Sequence, residues 1–196
     1  MFKKQLTVQK FICLAAIIVS AILFVYSLGI MTDLYDCLYS TMRDTSDLGN
    51  TDVAGSFLYY RMQPFNDYLL WASIGMILLA VLLYITNTHV RRKYYIGNYV
   101  AIALFVAGAV AVTVWSHTQI EVYKAQWLAI DFAALKEHAE MWGTAYTEST
   151  FWFDVHYLVG GLLIAVSAAL IGNACWKASL VKQENALLAN GKEAAK

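Results

Sequence analysis

Three of the four histidines in this chain stand close in sequence to acids, and these residue types suit metal chemistry. Imidazole nitrogens and carboxylate oxygens are both ligands that zinc accepts. The spacing forms no local motif such as HExxH, so the fold itself must assemble any metal site. The residues concerned are His117, His138 and His156 with Glu121, Glu137 and Asp154.

Helical geometry narrows this set. Asp154 and His156 belong to one predicted helix, where they lie about 200° apart around the axis, so both cannot easily serve one compact site. We therefore predict a metal site formed by His117, His138 and Asp154 as the alternative to ordinary interfacial side chains. Haem is not expected, because it needs opposed axial ligands inside a bundle and each histidine stands at a predicted boundary.

The other residue patterns indicate no enzyme chemistry. The three cysteines, Cys13, Cys37 and Cys175, form no CxxC pair, and the sequence has no GxSxG motif and no glycine-rich phosphate loop. We interpret Cys13 and Cys175 as small buried residues, and Cys37 as a free thiol or a bridge to another chain. No catalytic residue and no cofactor other than the metal ion is predicted.

Four long apolar segments must position these residues. They lie at about residues 11–30, 68–87, 98–116 and 155–176, and none contains Asp, Glu, Lys or Arg. About 20 apolar residues cross the hydrocarbon core of a bilayer. We therefore predict an all-α integral membrane protein, a single four-transmembrane-helix bundle followed by a cytoplasmic helical tail at residues 177–196. Buried helices of a soluble core would be the alternative.

Basic residues are concentrated on one side of the predicted spans. They occur before the first span, in the tail, and between the second and third spans as Arg91, Arg92 and Lys93. The positive-inside rule places these segments, and both termini, in the cytoplasm of a multi-pass plasma-membrane protein. Arg91, Arg92 and Lys93 are also predicted to contact anionic lipid headgroups.

Two longer loops should lie on the outer side. The first, at residues 31–66, is acidic, with apolar and aromatic flanks. The second contains a helix-like stretch at residues 120–142, with Gly143 as a plausible stop. We expect this stretch to continue the third helix outward or to lie flat, and to form an ordered cap with the first loop. Its apolar stripe comprises Ile120, Tyr123, Trp127, Ile130 and Ala134.

Small residues recur at every fourth position in the third and fourth spans. Membrane helices use small residues where another helix backbone comes close. We therefore predict that these two stripes are packing faces and that they meet each other. They consist of Ala103, Ala107 and Ala111 in the third span and Gly161, Ala165 and Ala169 in the fourth.

The charge pattern excludes several classes of function. A net charge of zero argues against nucleic-acid binding. Carriers that work alone commonly place an ionisable group at the bilayer midplane, whereas these spans contain no Asp, Glu, Lys or Arg. We therefore expect a non-catalytic subunit or accessory protein of a larger membrane complex, such as a transporter, with lipid, other subunits or further copies as partners. The alternatives are an outer-face metal-binding protein or enzyme using Asp154, His117 and His138, and an oligomeric channel.

Overall fold

Helices make up most of the described chain. The computed structural model describes residues 2–30, 32–42, 51–88 and 95–193. Within these ranges there is no strand, only an isolated antiparallel bridge between Met42 and Thr51. The α-helices of these ranges are α1 (Phe2–Gly29), α2 (Thr32–Leu38), α3 (Leu58–Thr88), α4 (Tyr95–Trp127), α5 (Phe132–Trp142) and α6 (Phe151–Glu193).

Four of these helices, α1, α3, α4 and α6, are long and apolar enough to cross a membrane. The predicted all-α class and its four membrane-length helices are therefore confirmed. The shortest has 28 residues and the longest, α6, has 43. At 1.5 Å per residue α6 is about 64 Å long, roughly twice the thickness of the hydrocarbon core. Because it runs unbroken to Glu193, α6 also includes most of the segment predicted as a tail.

The four long helices form a closed ring. α1 packs against α3 and α6, and α4 packs against the same two helices. Ser27 lies opposite Ser73 and Cys13 lies opposite Leu83, so α1 and α3 run antiparallel. On α4, Asn98 accepts from Gln9 of α1 and from Lys177 of α6. The N-terminal ends of α1 and α4 and the C-terminal ends of α3 and α6 therefore lie at one end of the bundle, here called the terminal end. The opposite ends of these four helices lie at the other end of the bundle, here called the cap end.

The buried face of each long helix repeats every three or four residues, and it contains polar as well as apolar side chains. On α6 the apolar members include Phe153, Leu163 and Leu170, and the polar members include Ser167 and Asn173. Lipid tails are as apolar as leucine, so the stability of such a core rests on close packing rather than on transfer from water.

The helix α3 begins before its proline rather than after it. It begins at Leu58 and carries Pro64 inside, whereas the sequence predicts a span beginning at residue 68. An interior proline removes one backbone hydrogen bond and costs about 3 kcal/mol or more. Leu58, Met62 and Phe65 are buried on both sides of it, so packing at the cap end offsets this cost.

The described parts of the two long connections pack on each other at the cap end. α4 continues outward to Trp127, which packs against Phe132 at the start of α5. α5 begins after Asp131, whose side chain accepts from the Ala134 amide, and it ends at Gly143, which has φ +65° as the predicted stop requires. Side-chain contacts between the described parts of the connections include His138 Nε2, which lies 3.8 Å from Asp52 Oδ2, and Ser40 Oγ, which lies 3.4 Å from Thr144 Oγ1.

One tyrosine holds the segment between α5 and α6. The Tyr146 hydroxyl donates to the Glu148 carboxylate and lies 3.5 Å from the Phe132 carbonyl oxygen. The hydrogen bond to Glu148 raises the pKa of Tyr146 to about 12.

Candidate functional site

A cluster of two histidines and one glutamate lies between α4 and α6 at the cap end. His117 Nδ1 is 2.9 Å from His156 Nε2, and Glu121 Oε1 is 3.8 Å from that same Nε2. Each residue offers one ligand atom, and these three atoms all lie within 4.8 Å of one another. His117 and Glu121 are four residues apart on α4, so the helix places both side chains on one face towards His156.

A backbone carbonyl fixes the tautomer of His156. Its side chain is only 5% exposed, and its Nδ1 contacts the carbonyl oxygen of Phe153. A carbonyl oxygen can only accept, so Nδ1 carries the hydrogen and Nε2 presents a lone pair. His117 Nδ1–H therefore donates to His156 Nε2. The two rings stack, with centroids 5.2 Å apart.

The glutamate of the cluster is also held in place. The Tyr157 hydroxyl donates to Glu121 Oε1 over 2.7 Å. The Tyr157 ring lies 4.0 Å from the His156 ring, centroid to centroid. Tyr157 thus contacts both the acid on α4 and the neighbouring histidine on its own helix.

Asp154 lies beside this cluster but has other partners. Its Oδ1 accepts from Lys124 Nζ at 2.5 Å, and its Oδ2 accepts from the Thr150 hydroxyl at 2.7 Å. Lys124 is on α4, so this ion pair ties the same two helices one turn further towards the cap. Both carboxylate oxygens of Asp154 thus accept hydrogen bonds, and Lys124 neutralises its negative charge. The sequence had predicted that this carboxylate would bind the metal ion.

The structure therefore regroups the predicted metal residues. It places His117 against His156 and Glu121, Asp154 against Lys124, and His138 near Asp52 on the far side of the α4–α5 turn. The predicted metal site does not include His156, because that residue lies about 200° around α6 from Asp154. In the structure this position on the helix directs the His156 side chain towards α4. The sequence carried a usable signal, since His117 and Glu121 share a face once α4 is extended outward.

The small-residue stripes do not pack on each other in this chain. Gly161, Ala165 and Ala169 are exposed on α6, and Ala103, Ala107 and Ala111 are exposed on α4. The prediction that these two stripes meet is therefore wrong. A side chain added at Gly161 would meet nothing within 4 Å.

The close approach of α4 and α6 is made at the neighbouring glycine. A Cβ at Gly160 would lie 2.8 Å from Thr113 Cγ2 on α4. Gly160 is on the buried face of α6, together with Val159 and Leu163. Consecutive residues are about 100° apart around a helix axis, so the buried Gly160 and the exposed Gly161 point in directions that differ by about a quarter turn.

The outer surface of the α4–α6 pair carries a shallow apolar groove. It has a volume of about 370 Å³ and lies towards the terminal end. Small side chains make up half of its lining, which consists of Tyr99, Ile102, Ala103, Val106, Ile171, Ala174, Cys175 and Ala178. Together with the exposed small residues nearer the cap, it leaves the backbones of α4 and α6 thinly covered.

A buried polar layer closes the terminal end. Asn98 Oδ1 accepts from Gln9 Nε2 at 2.5 Å and from Lys177 Nζ at 2.9 Å. Asn98 also donates to the Thr86 hydroxyl at 3.3 Å, so the layer joins all four long helices. Lys177 is only 2% exposed and lies over the Tyr99 ring. As a residue of the predicted tail, Lys177 belongs to the basic residues from which the orientation is predicted.

The predicted lipid-contacting cluster of Arg91, Arg92 and Lys93 lies outside the described residues. Comparison of the chain with family models, curated proteins and solved structures finds no match.

Proposed function

We propose that this chain is a membrane-spanning, non-catalytic subunit of a larger membrane complex, such as a transporter. A transmembrane helix of a different polypeptide packs along the outer face of α4 and α6. One observation carries the proposal: the small residues of that face are exposed in this chain. Gly161 and Gly172 both have open space where a side chain would stand.

Open glycines on a membrane helix have a cost. Glycine inside a helix is less favourable than alanine by roughly 0.5–1 kcal/mol. Gly161 and Gly172 are about three turns apart, or roughly 16 Å along α6, so the thinly covered strip spans about half the hydrocarbon core. Van der Waals packing of a second helix against such a strip recovers this cost.

The spans themselves favour a partner of a different kind over a chain that works alone. They contain no Asp, Glu, Lys or Arg in their predicted membrane segments. A transport or catalytic step across the membrane commonly needs ionisable groups at that depth. The proposal therefore assigns that chemistry to the partner. In the proposed orientation the terminal end faces the cytoplasm of a plasma-membrane protein, and Arg91, Arg92 and Lys93 meet anionic headgroups.

The test is copurification from native membranes in a mild detergent, with a matched pair of variants. Gly161→Leu fills the exposed face of α6. Gly75→Leu is the control, because Gly75 on α3 also has open space around its missing side chain. We expect a stoichiometric second polypeptide with the wild type and with Gly75→Leu, and its loss with Gly161→Leu.

Three results contradict the proposal. Recovery of the chain alone from gently solubilised membranes refutes a stable complex. Recovery only as copies of itself refutes the different partner and supports the oligomeric channel instead. Retention of the second polypeptide by Gly161→Leu would place its contact on another face.

A further inference from the structure

We infer that His117, Glu121 and His156 form a binding site for a divalent transition-metal ion, with Zn²⁺ as the expected occupant. This inference is independent of the proposed complex, since it rests on side chains inside the α4–α6 contact rather than on the outer face. Two imidazoles and one carboxylate are a donor set that zinc uses in proteins, with a fourth position left for water.

The distances fit such a site after a small movement. Zinc–nitrogen and zinc–oxygen bonds of about 2.0–2.2 Å at tetrahedral angles separate the ligand atoms by about 3.4 Å. The separations of 2.9 Å from His117 Nδ1 to His156 Nε2 and of 3.8 Å from His156 Nε2 to Glu121 Oε1 lie on either side of that value, and all three ligand atoms lie within 4.8 Å of one another. His117 is exposed on α4, so its ring can shift without disturbing the core.

The ligands already have the outer partners that metal sites use. A metal-binding histidine usually donates its other ring hydrogen to a carbonyl or carboxylate, and ligating carboxylates are themselves hydrogen-bonded. His156 directs Nδ1 to the Phe153 carbonyl, which leaves Nε2 as the ligand atom. Glu121 accepts from the Tyr157 hydroxyl. Both arrangements orient a lone pair towards the space between α4 and α6.

Charge and proton balance are both satisfied. Zn²⁺ accepts the lone pair of His156 Nε2, and also that of His117 Nδ1 once that atom has lost its hydrogen. The hydrogen moves through water to Nε2 of the same ring, so both imidazoles stay neutral and nothing is oxidised or reduced. Glu121 contributes one negative charge, and the nearby Lys124 is neutralised by Asp154. The empty site therefore has a net charge of about −1, which attracts the ion, and the occupied site has a net charge of about +1.

The experiment uses the full chain, purified in detergent through a tag without histidines and freed of metal with a chelator. Zn²⁺ is titrated in competition with a chromophoric chelator, and Co²⁺ reports the coordination geometry through its visible absorption. We expect one equivalent per chain. His117→Ala and Glu121→Gln should each weaken binding by at least about tenfold, and Tyr157→Phe by about tenfold. His138→Ala is the matched histidine control and should bind as the wild type does.

Three results overturn the inference. The first is the absence of stoichiometric binding, which leaves the two histidines as a metal-free hydrogen-bonded pair. The second is unchanged affinity in both His117→Ala and Glu121→Gln. The third is loss of binding in His138→Ala or Asp154→Asn with retention in His117→Ala, which places the ion elsewhere in the cap. Each variant is first compared with the wild type by near-ultraviolet circular dichroism, so that loss of folding is separated from loss of a ligand.

Discussion

Replacing either of two adjacent glycines by alanine should change stability in opposite directions. A Cβ at Gly160 would lie 2.8 Å from Thr113 Cγ2. Carbon atoms in contact prefer about 3.5–4.0 Å, so the added methyl group is roughly 1 Å too close. Thr113 is β-branched and has few side-chain rotamers in a helix with which to move away. Overpacking of this kind costs about 1–3 kcal/mol.

The gain in helix propensity reduces this cost but does not cancel it. Alanine is more favourable than glycine in a helix by about 0.5–1 kcal/mol, so Gly160→Ala should lower the free energy of unfolding by about 1–2 kcal/mol. Gly161→Ala has the same propensity gain and meets nothing within 4 Å. It should raise the free energy of unfolding of the isolated chain by up to about 1 kcal/mol.

A double variant identifies the contact responsible. Thr113→Ser removes Cγ2, the atom nearest to the added methyl group, and leaves Oγ1 at 3.8 Å. In the Thr113→Ser background, Gly160→Ala should lose most of its penalty, with a coupling energy of about 1 kcal/mol. The free energy of unfolding is measured for the wild type, the two single variants and the double variant, by unfolding each purified protein in mixed micelles and following near-ultraviolet circular dichroism. Equal destabilisation by Gly160→Ala and Gly161→Ala, or no coupling to Thr113, would refute the assigned register of α6.

Three further predictions concern single side chains. Lys177→Ala should lower the free energy of unfolding by about 1–3 kcal/mol, since it removes a buried hydrogen bond to Asn98. Lys182 is exposed, so the control variant Lys182→Ala should change the free energy of unfolding by less than about 0.5 kcal/mol in the same assay. Asp154→Asn should preserve helicity and should lower the midpoint of the unfolding transition by less than Gly160→Ala does, because the ion pair of Asp154 with Lys124 is partly exposed. Cys175 is exposed, so its interpretation as a buried residue is wrong, whereas Cys13 is buried as predicted. Cys175 should therefore be the thiol that a maleimide labels fast in folded protein, and Cys175→Ser should abolish that labelling.

The number and class of the long helices were predictable because bilayer thickness fixes the length of an uncharged segment. Their ends were not. α3 begins at Leu58 because packing around Pro64 outweighs a local helix breaker, and no local pattern reports that packing. α4 continues to Trp127 because Ile120 and Trp127 are buried against the rest of the cap end. The apolar stripe alone is equally compatible with a continuous α4 and with a separate helix that lies flat on the membrane, so the sequence does not distinguish them.

The packing face of α6 was misassigned for a physical reason. In a membrane helix both the lipid-facing and the buried sides are apolar, so hydrophobic periodicity carries little information about direction. The small residues around Gly161 were therefore interpreted as the face packed within the chain, although small residues show only where a helix backbone is accessible. The polar residues were the better guide, because a polar group that faces lipid is costly and is turned towards the other helices. On α6 these residues include His156, Ser167 and Asn173, all of which are buried.

The two proposed sites lie on different sides of α6, so experiments can test them separately. His156 and Gly161 are about 140° apart around α6, so the histidine faces α4 inside the ring and the glycine faces outward. Gly161→Leu should therefore abolish copurification of the partner and leave Zn²⁺ affinity unchanged, whereas His117→Ala should do the reverse. If one substitution removed both properties, the partner would have to contact the cap-end cluster itself, and α6 would link the two sites rather than keep them apart. Measuring both properties on both variants decides between these arrangements.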